Sequence, residues 1–252
     1  MGLFDIFKSK AKAEAEPAAA PGGDKNIARL GKVAGDRHAQ NYDRIEAIEG
    51  LARLANGEAA QALLRRFNFH IDPSITDQEE KDAAERGILA AGEAAIEPIR
   101  TYCLRAESLS WPLKILKELV PPERYIDELV QLLARFDIDY TRNVDPKQQI
   151  IAELEHFQAL AILPAVQRFL EDASDDVRFV AVATVFAQKD AASAEPLARA
   201  LAVEESMRVK NRMVEGLAAQ GWAIPEPLRQ GAKAALPPQF LLDAGGKIRR
   251  AS

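Results

Sequence analysis

Residues 174–188, SDDVRFVAVATVFAQ, align without a gap on residues 206–220, SMRVKNRMVEGLAAQ, at an offset of 32. Val177 answers Val209, Arg178 answers Lys210 and Gln188 answers Gln220. Self-similarity at a period of roughly 20–50 residues is the mark of a stacked array, in which each repeat is one supersecondary unit covered by its neighbours. A second repeat lies upstream: Asn56-Gly57-Glu58-Ala59-Ala60 returns as Ala91-Gly92-Glu93-Ala94-Ala95, 35 residues on. Both read as a glycine that closes one helix and an acidic first turn that opens the next. Prolines mark the same rhythm. Pro98, Pro164, Pro196 and Pro227 are separated by 66, 32 and 31 residues, each placed where a first helical turn tolerates proline because its N–H lacks an intrahelical acceptor. The unit is therefore 31 to 35 residues long.

Helical periodicity divides the chain into six hairpins. Their first helices are predicted near 41–55, 76–90, 108–119, 146–157, 175–188 and 206–220, and their second helices near 58–68, 93–105, 123–136, 161–171, 193–203 and 225–236. Thr76-Asp77-Gln78-Glu79 has the form of a capping box, and Asp145-Pro146 that of a cap followed by proline. No alternating pattern predicts a strand. The expected organisation is a short amphipathic segment (1–10), a flexible Ala/Pro/Gly linker (11–25), an all-α solenoid (26–240) and a C-terminal tail (241–252).

Composition agrees. Of the 252 residues 48% are apolar but only 6% aromatic, which suits helices packed through alanine and leucine. A net charge of −5 makes the whole chain a poor ligand for polyanions. Cys103 is the only cysteine and cannot pair within the chain, as expected in a reducing cytoplasm. No stretch approaches the roughly 20 apolar residues of a membrane span, and Leu3 to Phe7 is too short for a signal peptide. Leu3, Phe4, Ile6 and Phe7 would share one helical face, beside Lys8 and Lys10. They predict a segment that stays a disordered leader, docks on a protein, or makes weak contact with the inner face of a membrane.

The stretch LPAVQRFLEDASDDVRFVAVATVFAQ resembles the HEAT-repeat, or armadillo-like, family through Pro164, Leu170, Asp172, Asp176, Val177 and Arg178. That resemblance implies a right-handed α-solenoid of about six hairpins, with second helices lining the concave face, and usually a scaffold or adaptor. The third unit departs from the pattern with Pro121-Pro122 in its turn, as do the long connections 68–74 and 137–144.

Catalytic readings fare poorly against the residues. Deoxyhypusine hydroxylase, a HEAT enzyme, uses His-Glu pairs to hold iron; here none of His38, His70 and His156 is followed by Glu. Asp137-Ile-Asp139 starts like a calcium loop, but Arg142 and Gln148 stand where that loop needs Gly and Glu. Cys103 has no histidine near in sequence to activate it and reads as a core thiol. No cofactor, metal or small-molecule substrate is expected, and bilin lyases, another HEAT group, find no support in these residues.

The alternative is a HEAT-like nucleic-acid-binding or base-excision protein of the alkylpurine DNA glycosylase type. Arg65, Arg66, Arg100 and Arg105, with Trp111 close by, would supply its basic face, although Glu93, Glu97, Glu107, Asp127 and Glu128 dilute it. The expected function is non-catalytic protein binding through Arg65, Arg100, Gln131 and Arg135 on second helices. The long connections and their flanks add His70, Asp72, Trp111, Tyr140 and Arg142.

Overall fold

The computed structural model describes residues 23–251. Residues 1–22 lie outside the described residues, and with them the docking segment of Leu3, Phe4, Ile6 and Phe7. The described chain is mainly helical. Helix α1 (Gly23–Ala34) is followed in chain order by α2 (Asn41–Ala52), α3 (Gly57–Leu64), α4 (Ser74–Ala90), α5 (Ile96–Cys103), α6 (Ser110–Leu119) and α7 (Pro122–Leu133). Next come α8 (Asp145–Leu154), α9 (Ile162–Gln167), α10 (Asp175–Ala187), α11 (Ala194–Val203), α12 (Met207–Gln220) and α13 (Arg229–Ala235), and the even-numbered helices occupy the places expected of first helices. Short 3₁₀ turns extend α3 and α9 and lead into α5, α11 and α13. No helix among the described residues is long and apolar enough to cross a membrane.

First helices pack on first helices, α2 on α4, α4 on α6, α8 on α10 and α10 on α12. Second helices do likewise, α3 on α5, α7 on α9 and α11 on α13, with α1 on α3 at the start. Val177 and Val209, aligned at 32 residues, are both fully buried in this core, and Leu170 lies with them. Small residues set the approach in the first pairs. A Cβ on Gly87 would stand 2.7 Å from the Ala52 and Leu63 side chains, and one on Gly31 2.9 Å from Ala62 Cβ. Around the third pair the junctions are bridged by long side chains instead: Arg100 to Glu128 (2.6 Å), Arg124 to Glu93, and Lys117 to Glu153 (2.7 Å).

The repeat extends to a buried ionic ladder. Lys147 on α8 donates to Asp172 at 2.6 Å, and Arg178 on α10 donates to Glu204 at 2.7 and 2.8 Å. Asp172 also accepts from the Ser174 amide and Glu204 from the Ser206 amide, so each acid holds the entry to the following helix. Arg178 then joins the rungs by donating to the Asp172 carbonyl at 2.8 Å.

Several local expectations are corrected. The chain end is not a tail: Phe240–Leu242 (β1) and Ile248–Arg250 (β2) form an antiparallel hairpin that seats Phe240 and Ile248 in the core. Strands this short leave no readable alternation in the sequence. Gly23–Lys25 belong to α1, not to the linker. The Thr76 capping box does not form. Helix α4 starts two residues earlier, at Ser74, and Asp77 turns inward to Arg66 and Lys81. Asp145 is the first residue of α8 and its amide is taken by Asn143. Gly92 does close a helix, at φ +57°, but Gly57 opens α3 under an Asn56 cap, and the left-handed residue there is Ala55.

Candidate functional site

Arg100, Gln131 and Arg135 come together. They line one small groove of about 140 Å³ between α5 and α7, with Glu97, Thr101, Leu104 and Leu132. Arg100 is one-third exposed and is held from three sides: its Nε and Nη2 donate to Glu128 and its Nη1 donates to Glu97 at 3.0 Å. These hydrogen bonds, Glu128 first and then Glu97, raise its pKa above the ordinary arginine value against a small opposing effect of burial. The guanidinium is therefore pinned between two carboxylates, each of its three nitrogens donating to one of them. Arg135, two residues past the end of α7, is exposed. Arg65 begins the 3₁₀ turn after α3 and is also exposed, its stem near Gly35. Arg66, next to it, is not part of any basic face. It is fully buried and donates to Glu80 at 2.6 Å and to Asp77 at 2.7 Å.

The second group of candidates lies along the connections between pairs. His70 is exposed, with Nδ1 2.9 Å from Lys81 Nζ and 3.3 Å from Asp77. It is the outer edge of a buried network in which Glu80 accepts from Arg44 and Arg66 and Asp77 accepts from Arg66 and Lys81. Burial works to raise the pKa of both carboxyl groups, but their charged donors win and hold both below the usual carboxylate range. Asp72 is exposed in the same connection. Trp111 is half-buried and stacks on Phe67 with centroids 5.1 Å apart, while the Lys114 ammonium sits 4.9 Å from its ring. Its ring is thus committed to packing. Tyr140 and Arg142 are exposed on the 137–144 connection. That loop is organised by a protein cation, since Lys147 Nζ takes the Asp137 carbonyl at 3.1 Å and the Asp139 carbonyl at 3.5 Å. Asn143 ties it to the Glu107 carbonyl and Ile138 to the Ala173 amide.

Cys103 is fully buried, and burial pushes its thiol up to about 12, so it is protonated at neutral pH. His156 lies in a separate groove of about 400 Å³ between α6 and α8, beside the Lys117–Glu153 pair and Tyr125. Among the described residues no cluster of His, Cys, Asp and Glu is arranged to hold a metal ion.

Three residues escaped the sequence reading. Arg168, Arg199 and Lys233 are exposed on the later second helices. Together with Arg65, Arg100 and Arg135 they run at spacings of 35, 35, 33, 31 and 34 residues, the period of the repeat itself. That spacing was there to be found once the repeat was known.

No protein-family model and no curated protein matches the chain. Among solved structures, a chain from "Computational Design of Self-Assembling Cyclic Protein Homooligomers" is 16% identical over 85% of this chain and 70% of that one, with a TM-score of 0.15. At that score the two share no established fold.

Proposed function

We propose that this protein is a non-catalytic scaffold: an α-solenoid of six HEAT-like hairpins whose long open surface binds another protein. One observation carries the reading. Contacts recur between helices one repeat apart, α2 with α4, α4 with α6, α8 with α10 and α10 with α12, and likewise α3 with α5, α7 with α9 and α11 with α13. A surface built this way grows with every repeat and suits an extended macromolecular partner better than a small substrate, which needs enclosure. The ionic ladder of Lys147, Asp172, Arg178 and Glu204 supports the HEAT likeness, because it repeats at the spacing of the hairpins. A reducing cytoplasm is the proposed setting, consistent with one buried free thiol.

The test is affinity capture from the native cell, with chemical cross-links mapped onto the captured complex. Cross-links from one protein partner spread over two or more second helices are expected. Turnover of a small molecule by the purified chain, or cross-links confined to one hairpin, would count against the scaffold. The base-excision alternative is separated by a titration with alkylated duplex DNA across salt concentrations.

A further inference from the structure

We propose that residues 3–10 fold back onto this chain and pack in the groove between α1 and α2, with Leu3, Phe4, Ile6 and Phe7 covering Leu30, Val33 and Leu54. This docking is independent of the scaffold reading. The groove has a volume of about 550 Å³, within the roughly 300–1,000 Å³ of sites that enclose a ligand. Helix α2 is covered on one side by α4 and on the other by α1, which lies against both α2 and α3. One helix laid across two leaves an opening, and apolar side chains stand in it. Leu30 and Val33 of α1 are half-buried, and Leu54, just past α2, is 40% exposed. Ala47 and Gly50 add only small side chains to the lining. Apolar surface laid over these three residues is removed from water, which favours docking.

The charges of the groove run in an order that the segment matches. Its near end, where α1 begins and α2 ends, carries Arg29 and Arg53, and a Cβ on Gly50 there would stand 3.2 Å from a Leu30 methyl. Its far end, lined by Val33 and Ala39, carries Asp43, with Glu46 one turn along α2. Neither arginine is firmly held. Arg29 donates to the neutral Asn26 side chain at 3.2 Å, and Arg53 meets Glu49 at 4.0 Å with both side chains largely exposed. Asp43 and Glu46 are exposed as well. In residues 3–10 the acid, Asp5, comes before Lys8 and Lys10. Laid parallel to α1, the segment brings its acid to the arginines and its lysines to the acids.

The length of chain before α1 fits the same orientation. Lys10 would end near Val33, and the chain must then return to Gly23, close to the length of α1. That helix has 12 residues, which at about 1.5 Å each make about 18 Å. Residues 11–22 are rich in Ala, Pro and Gly, and a flexible chain of about 12 residues spans about 17–21 Å root-mean-square. A linker whose length matches the span holds its end at about millimolar effective concentration. Docking with an intrinsic Kd of about 0.1 mM, negligible between separate molecules at micromolar concentration, is then about 90% populated. The tether therefore favours this chain's own segment over a second copy or a free peptide.

The experiment uses the full chain, in which the native thiol of Cys103 is buried and takes no part. In the variant Gly2→Cys/Leu54→Cys, disulfide formation is measured against a mixture of reduced and oxidised glutathione, which reads the effective concentration of one thiol at the other. Docking should raise that concentration about tenfold or more above the value found when Phe4→Ser/Phe7→Ser is added. The tether is the same in both chains, so the difference belongs to the apolar side chains. From the groove side, Arg29→Glu/Arg53→Glu changes two exposed residues and should lower it about threefold or more. Melting curves confirm that each variant folds. An unchanged effective concentration in either comparison overturns the proposal. A disulfide that forms only between chains, and rises with protein concentration, overturns it by giving the groove to a second copy. Sedimentation with anionic vesicles that depends on Phe4 and Phe7, at an effective concentration no higher than the tether alone supplies, overturns it in favour of a membrane surface.

Discussion

Glu80 sits between the guanidinium groups of Arg44 and Arg66, and all three are buried. Replacing Glu80 by Gln keeps the shape but leaves two buried cations short of a counter-charge. It should cost about 3–5 kcal/mol in chemical denaturation, the usual penalty for breaking a buried ion pair from one side. The same network sets a pH dependence. Asp77 and Glu80 have depressed pKa values in the folded chain, so the stability they contribute is complete above their unfolded values of about 4 and is lost as pH falls through the folded ones. Melting temperature should hold steady from neutral pH to about 5 and then drop, with a shallower acid limb in Asp77→Asn. Cys103 offers a third check. Buried and protonated, it should react with a thiol reagent only at the rate of unfolding, and fast modification of the native chain would show that α5 opens.

The elements were largely legible in the sequence because apolar spacing, proline and the repeat all report on local helix. Val177 and Val209 stand where the alignment places them. What escaped was decided across space. Asp77 looks like part of a cap in the chain, but Arg66 and Lys81 compete for it and win. The β-hairpin at the end has only three residues in each strand, too few to show a period. Two element-level outcomes follow from contacts described above. Gly87→Ala should destabilise by about 1–3 kcal/mol, because a methyl group there meets the Ala52 Cα at 3.0 Å as well as two side chains. Lys147→Met should cost about 3–5 kcal/mol by stranding Asp172, and Lys147→Met/Asp172→Leu should recover much of that loss. A double variant as unstable as the single one would mean that the ammonium's hold on the 137–144 carbonyls, not the ion pair, dominates.

At the scale of the whole molecule, the β-hairpin packs on α12 and α13, and its Phe240 and Ile248 join the core with Trp222 and Ile224. Ending the chain at residue 236 should lower stability by about 3–6 kcal/mol, the burial of those two side chains, and amide hydrogen exchange should show the loss of protection first in α12 and α13.

The junctions differ along the array, and that difference is mechanical. In the opening pairs glycine and alanine let helices touch, and repulsion between atoms already in contact rises steeply with any displacement. Around the third pair the helices are held by Arg100, Arg124 and Lys117 reaching acids on their neighbours, and long ion-paired side chains can lengthen or tilt at little cost. The stretch from α5 to α8 is therefore the part of the described chain that yields to a displacement at least cost.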